Sequence, residues 1–184
     1  MKLAWKLALG ACILALPAQA QQPAGNPNAP VATALRFYLA QFSRNLIAAS
    51  DDFPSSKYTF RPTPPQQSVA FIVDHLAGSN NFLCASVAGV TAPADAAVKP
   101  DSTAPDELKA RLRRSFTFCE TALSSLDDSK LADSVPWFGG KRTRASVILA
   151  LPYDWADHYS QFANYLRLNG VSPPNARARA TPVP

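Results

Sequence analysis

Two histidines and one aspartate offer the chemistry that a divalent metal ion needs, and His75 and His158 are the only histidines in the chain. Asp154 and His158 are four residues apart in a segment with helical period, which places their Cβ atoms roughly 5–6 Å apart on one helix face. His75 lies on the apolar face of another helical segment, so it should point toward the same core. Two imidazoles and a carboxylate that leave coordination positions open can hold an ion and lower the pKa of a bound water. The three residues are therefore a candidate metal site supplied by two helices.

Further polar side chains share these two helix faces. Gln161 and Tyr165 follow Asp154 on one face of its helix, and Ser79 is one turn beyond His75. Amide, phenol and hydroxyl groups in these positions could orient a ligand around the ion.

The same spacing also has a metal-free interpretation. An Asp and a His at i and i+4 commonly form an ion pair that stabilises a helix, and an inward-facing His is commonly a hydrogen-bonded core residue. A buried carboxylate is costly without a partner, so Asp154 requires a metal ion, a cation or a set of donors. Pro152 removes one helical hydrogen bond just before Asp154, so we expect a kink that could help to aim this side chain.

The amino-terminal residues have the features of an export signal. Residues 1–20 begin with two lysines, continue with about a dozen apolar residues and end in the small-residue motif Ala18-Gln19-Ala20. We expect cleavage before Gln21, which takes the formal charge from +5 to +3 because two lysines and no acids are removed. An exported, periplasmic protein with no membrane segment after cleavage is predicted, and lipidation of Cys12 is the less favoured alternative.

The two remaining cysteines favour a structural role. Cys84 and Cys119 are an even pair in a chain that is predicted to reach an oxidising compartment, which favours a disulfide between two helices. Two buried free thiols are the alternative. Cys119 lies among leucines and phenylalanines with no base beside it, which disfavours a catalytic thiolate.

Composition and pattern predict one all-α domain. With 47% apolar and 10% aromatic residues the chain is too rich in core-forming side chains to be wholly disordered. After a flexible leader at 21–30, four segments have helical period and no stretch alternates long enough for a sheet. A four-helix bundle over 31–176 and a disordered tail at 177–184 follow. The helices are predicted at 31–50, 64–87, 104–126 and 141–168.

A mildly basic mature chain does not by itself indicate nucleic-acid binding. The basic run at 109–114 is predicted to be the solvated face of the third helix, and the export signal further disfavours DNA as a partner.

Two stretches resemble a known family. The sequence KYTFRPTPPQQSVAFIVDHLAGSNNFLC resembles the first half of DinB-like proteins, and HYSQFANYLRLNGVSPP resembles their last helix and its exit. The resemblance covers about 31–176 and implies a four-helix bundle with a divalent metal held by three histidines. His75 and His158 match two of those positions, whereas Asp154 stands at the third.

The resemblance also suggests classes of activity. Some related families look like thiol S-transferases and others like metal-dependent hydrolases, so a metal that activates water or a thiol toward a small-molecule substrate is implied. The bound ion would be Zn, Ni, Mn or Fe, with the carboxylate shifting the preference. Export disfavours the thiol role, because low-molecular-weight thiols are expected in the cytoplasm. A metal-free helical binding or structural module of the periplasm is the alternative, and a homodimer is compatible with either.

Overall fold

Four α-helices form the body of the protein in the computed structural model, which describes residues 28–177. The all-α prediction is confirmed, and each helix packs against two neighbours: α1 and α2 both contact α3 and α4. The helices are α1 Pro30–Asp52, α2 Val69–Ala88, α3 Pro105–Ala122 and α4 Arg144–Leu168. No helix within the described residues has the length and apolar character needed to cross a membrane.

The core is built from the apolar stripes of the four helices. Every helix has fully buried leucines on its inward face, for example Leu46, Leu76, Leu112 and Leu151. Trp155 of α4 is the largest side chain that is completely buried. Burial of these side chains, at about 25 cal/mol per Å² of apolar surface, is the main force that holds the helices together.

Helix α2 begins at Val69, five residues after the predicted start. Thr63 does bond to Gln66, but Pro64 and Pro65 follow it, and a residue that precedes proline is disfavoured in the α conformation. Ser68 is the actual cap, because its hydroxyl accepts a hydrogen bond from the backbone N–H of Phe71.

A short hairpin precedes α4 and was not predicted. Its strands β1 (Ser134–Trp137) and β2 (Gly140–Thr143) are antiparallel, and Gly139 at the turn has φ +70°. Two strands of four residues are too short to show an alternating pattern. Consequently α4 begins at Arg144, capped by the hydroxyl of Thr143, and not at Lys141.

The amino-terminal end of α1 is capped by a distant residue. Ala29 at the cap position has no side-chain oxygen, and the carboxylate of Asp128 instead accepts hydrogen bonds from the backbone N–H groups of Val31 (2.8 Å) and Ala32 (2.9 Å). Asp128 lies in the connection after α3, which ends at Ala122 and not near Leu126 as predicted. A negative charge at a helix amino terminus is favourable, so this contact ties α1 to that connection.

Arg111 contradicts the prediction of a solvated basic face on α3. Its side chain is buried and forms ion pairs with Asp74 of α2 (3.1 Å) and Asp95 (3.2 Å), and it donates to the carbonyl of Ala96. Asp95 and Ala96 belong to the irregular connection between α2 and α3. The arginine therefore holds that connection against the bundle.

Some predictions lie wholly or partly outside the described residues. The signal segment at 1–20, residues 21–27 of the predicted leader and the tail at 178–184 are outside them. The leader was predicted to extend to residue 30, but Pro30 is the first residue of α1 and Ala29 is its buried cap, because proline is well suited to the first turn of a helix. Arg177, the first residue of the predicted tail, forms an ion pair with Asp52 at the end of α1 and donates to the carbonyl of Ser172.

Candidate metal centre

Helices α2 and α4 are antiparallel, which brings the candidate ligands together near the middle of both helices. At one end the hydroxyl of Tyr165 donates to the carbonyl of Gln67 (3.0 Å). At the other end the guanidinium of Arg144 donates to the carbonyl of Val87. His75 lies between these two contacts, opposite the Asp154 turn of α4.

The three side chains converge on one oxygen atom. The Nε2 atoms of His75 and His158 each lie 3.4 Å from Oδ1 of Asp154. The two imidazole rings are 4.7 Å apart between centroids. One ligand atom from each residue lies within 4.8 Å of the other two, so small side-chain movements would let all three meet at one ion.

Solvent reaches this cluster from the α2 side. The exposed fraction of the side chain falls from 38% for His75 to 20% for Asp154 and 7% for His158. The cluster is thus closed at His158 and open at His75, so an added ligand would enter past His75.

The electrostatics of the cluster favour a charged carboxylate. Burial acts to raise the pKa of Asp154, but hydrogen bonds and charge from His158 and His75 outweigh it and lower the pKa to about 2. The hydrogen bond with Asp154 raises the pKa of His75, against the opposing effect of burial. Asp154 is therefore an anion at neutral pH, as a metal ligand must be.

The donor set is compatible with a divalent ion. A charge-assisted N–H···O bond is usually about 2.7–2.9 Å long, and the two Nε2–Oδ1 separations of 3.4 Å are clearly longer. Because zinc–ligand bonds to N and O are about 2.0–2.2 Å long, two donors of one tetrahedral ion lie about 3.3–3.6 Å apart. In addition, Oδ2 of Asp154 is buried and has no hydrogen-bond partner among residues 28–177, and a cation would satisfy it. Nδ1 of His158 is likewise buried without a partner there, so this ring has no acceptor of the kind that usually orients a metal-bound histidine.

Of the three other predicted site residues, the structure places only Ser79 at the cluster. Ser79 is part of the cluster, with its Oγ 3.3 Å from Nε2 of His75. Gln161 bonds to Asp157 on the outer face of α4 instead (3.0 Å). Tyr165 bonds to the backbone at Gln67, so neither of these side chains reaches the cluster.

A disulfide joins Cys84 of α2 to Cys119 of α3, with Cα atoms 5.3 Å apart. It lies in the apolar core and takes no part in the candidate site.

The sequence did not predict the buried amide of Asn80 beside the site. Asn80 of α2 is fully buried, accepts a hydrogen bond from Nε1 of Trp155 (2.7 Å) and donates to Oγ of Ser115 (3.0 Å). Trp155 is the residue after Asp154, so this bond fixes the register of α4 against α2 at the level of the ligands. An asparagine in an apolar helical segment was the only available signal.

Comparison with known families agrees with the helical fold described above. The DinB superfamily profile matches residues 38–162, which is most of the helical body. The chain belongs to the DinB superfamily. No curated protein matches it at a significant level.

Solved structures similar to this DinB-superfamily chain share its fold at low sequence identity. A DinB-like protein from Bacillus subtilis has a TM-score of 0.60 at 14% identity, covering 82% of this chain and 95% of its own. A DinB-like protein from Bacillus cereus has a TM-score of 0.61 at 15% identity, with 76% and 93% covered. A conserved protein from Enterococcus faecalis has a TM-score of 0.57 at 15% identity, with 75% and 96% covered. The DinB fold therefore extends over nearly the whole length of these relatives.

Proposed function

We propose that His75, Asp154 and His158 bind one divalent metal ion, and that the protein is a metal-dependent hydrolase or transferase for a small molecule. The observation that carries the proposal is the convergence of two imidazole nitrogens on a partly buried carboxylate at ligand spacing. A divalent ion in such an open site acts as a Lewis acid and lowers the pKa of the nucleophile that it binds.

Each residue of the candidate site has a distinct role in this proposal. Asp154 supplies the negative charge that offsets part of the charge of the ion, and its low pKa keeps that charge at neutral pH. His158 closes the inner side of the site because it is buried. His75 holds the solvent-facing side, and Ser79 beside it is placed to orient a group that enters there.

Water is the nucleophile that we favour over a thiol. Export of the chain, which we propose from residues 1–20, would remove it from the cytoplasmic pool of low-molecular-weight thiols. Water needs no second binding pocket, whereas a thiol cofactor does.

A metal-free binding module is the second candidate. Its support is that Asp154 already has two histidine partners, so an ion pair could satisfy one of its oxygens without a metal. In that case the cluster would stabilise the contact between α2 and α4 and bind no ion.

Metal content separates the two candidates. The protein is purified without chelator, its metal is measured by mass spectrometry, and Zn, Ni, Mn and Fe are titrated into the metal-free form by calorimetry. We expect one ion per chain, and a loss of affinity of more than about tenfold in Asp154→Asn and in His158→Ala, because a lost ligand should cost at least as much as a lost outer-shell partner.

Asp157→Asn is the matched control, since Asp157 is an exposed acid on the same helix whose hydrogen bond in the described part of the chain goes to Gln161, and its charge acts on His75 less than that of Asp154 or Asp74. It should bind metal like the wild type. Negligible metal in the wild type and in every variant would contradict the proposal and favour the binding module.

A further inference from the structure

An exposed aromatic ring lies against the open side of the candidate metal centre. Phe71 is one helical turn before His75 on α2, and 41% of its surface is exposed. The two rings are nearly parallel, with an angle of 8° between planes and 6.2 Å between centroids. A single exposed aromatic is ordinary on a protein surface, but this one is offset-stacked on a candidate ligand.

Phe71 is also one wall of a surface notch. The notch has a volume of about 220 Å³, and Gln66, Gln67 and Arg61 line other parts of it. Pockets for drug-sized ligands are larger, about 300–1,000 Å³, so this one suits a compound of roughly one ring and not a peptide or polymer.

The polar side of the notch is held in place by its own contacts. Arg61 forms an ion pair with Asp101 (2.5 Å), and Asp101 in turn accepts a hydrogen bond from the hydroxyl of Ser68. Ser68 is the residue that caps α2 by bonding to the backbone of Phe71. The backbone of Phe71 and the polar wall are therefore connected by one chain of hydrogen bonds.

We propose that Phe71 and this notch bind the substrate of the metal centre, and that the substrate is a small aromatic compound with an oxygen-containing group that reaches the ion. The inference rests on the proposed function, because His75 must be a metal ligand. The exposure gradient lets a ligand enter past His75, and Phe71 links that open side to the notch because it stacks on His75 and also lines the notch. A flat ring that packs on Phe71 gains a stacking contact, and a ligand without a ring does not.

A pair of chelators tests the proposal without a substrate. Acetohydroxamate and benzohydroxamate bind metal through the same group and differ by an aromatic ring. Their affinities for the zinc-loaded protein are measured by calorimetry, and the ratio is compared between variants, so that any intrinsic difference between the chelators cancels. In Phe71→Leu the preference for benzohydroxamate should fall about threefold to tenfold, with little change for acetohydroxamate.

Two further variants complete the test. Phe37→Leu is the matched control, because Phe37 is an aromatic of similar exposure on α1, and it should leave the ratio unchanged. Phe71→Trp keeps a ring at the position and should retain or increase the preference.

The outcomes distinguish this inference from the proposed function. A ratio that is the same in Phe71→Leu and in the wild type overturns the inference, and the metal site stands. Equal loss of preference in Phe71→Leu and Phe37→Leu also overturns it, because the effect would then not be local. A wild-type protein that takes up none of Zn, Ni, Mn and Fe contradicts both, and if another of these ions binds in place of zinc the chelator ratio is measured with that ion.

Discussion

Buried polar side chains at single positions decide how this bundle is assembled. The bond between Trp155 and Asn80 joins α4 to α2 in a region where almost every neighbour is apolar. An apolar contact could slide by a fraction of a turn, but a hydrogen bond in a buried site specifies one register. Because Trp155 adjoins Asp154, this specificity extends to the candidate ligands.

Replacement of Asn80 should be strongly destabilising. Asn80→Ala leaves Nε1 of Trp155 and Oγ of Ser115 without this partner and opens a small cavity, so we expect the free energy of unfolding to fall by about 2–4 kcal/mol. Urea denaturation, monitored by circular dichroism, measures this change in the free energy of unfolding. Asn164→Ala, at an exposed position on α4, should change stability by less than about 0.5 kcal/mol. Similar values for the two variants would show that the buried bond does not stabilise the fold.

Tyr58 should make stability depend on alkaline pH. Its buried hydroxyl donates to the carbonyl of Ser50 (2.8 Å), and burial, assisted by the charge of Asp51, raises its pKa far above the usual value near 10. The unfolded chain thus releases this proton near pH 10 while the folded chain keeps it. The stabilising contribution is complete below pH 10 and is lost as the pH rises above it.

The matching variant is Tyr58→Phe, compared with the wild type by denaturation at pH 7 and between pH 9 and 11. At pH 7 the variant should be less stable by about 1 kcal/mol, because the Ser50 carbonyl loses its donor. Above pH 10 the wild type should lose up to about 1.4 kcal/mol per pH unit more than the variant. Parallel curves would mean that Tyr58 ionises equally in both states.

The sequence alone predicted the candidate ligands and Ser79 beside them, but not the exposed ring of Phe71 or the buried side chain of Arg111. Asp154 and His158 are close because of local helical geometry, which can be calculated from spacing alone. The stacking of Phe71 on His75 also follows from one helix, yet its exposure depends on what the rest of the chain leaves uncovered. Arg111 looked solvated because its partner Asp95 lies in an irregular connection, whose path no periodicity predicts.

At the scale of elements, the four helices were predicted from their apolar stripes, but the predicted positions of their ends were less accurate. The end of a helix depends on side-chain contacts such as the bond between Ser68 and the backbone of Phe71. Consecutive prolines also move the first residue of a helix further along the chain, as Pro64 and Pro65 do for α2. The hairpin at Ser134–Thr143 has strands of four residues, and tertiary packing of Val135 against the core stabilises it more than propensity does. Pro152 lies within α4 as predicted, and the helix continues through it to Leu168.

The disulfide between α2 and α3 should contribute substantially to stability. Cys84 and Cys119 are 35 residues apart, and closing a loop of that length restricts the unfolded chain by about 3–4 kcal/mol in the chain-entropy estimate. The double variant Cys84→Ala/Cys119→Ala should therefore be less stable by about that amount in urea denaturation. Reductant should destabilise the wild type and leave the double variant unaffected. If reductant has no effect on the wild type, the bond does not stabilise the fold in solution.

At the scale of the whole molecule, the export proposal makes a direct prediction. The full chain is expressed in a Gram-negative host. The periplasmic fraction should then contain a protein whose amino-terminal sequence begins at Gln21, because the small-residue motif ends at Ala20. Its intact mass should match that of residues 21–184. Ala20→Arg should block this cleavage. Cys12→Ser should not change it, whereas a lipid-bearing product beginning at Cys12 would support the lipoprotein alternative. An uncleaved chain in the cytoplasm would contradict export.

The cap on α1 has a consequence for the order in which the molecule is completed. Asp128 follows Val31 by 97 residues, so a ribosome has made α1, α2 and α3 before the side chain that satisfies the first N–H groups of α1 exists. Until then the amino-terminal turn of α1 has no internal acceptor from this residue and should fray. Helix α1 is thus finished only late, and a nascent chain or proteolytic fragment that stops short of residue 128 should expose the beginning of α1 to proteases.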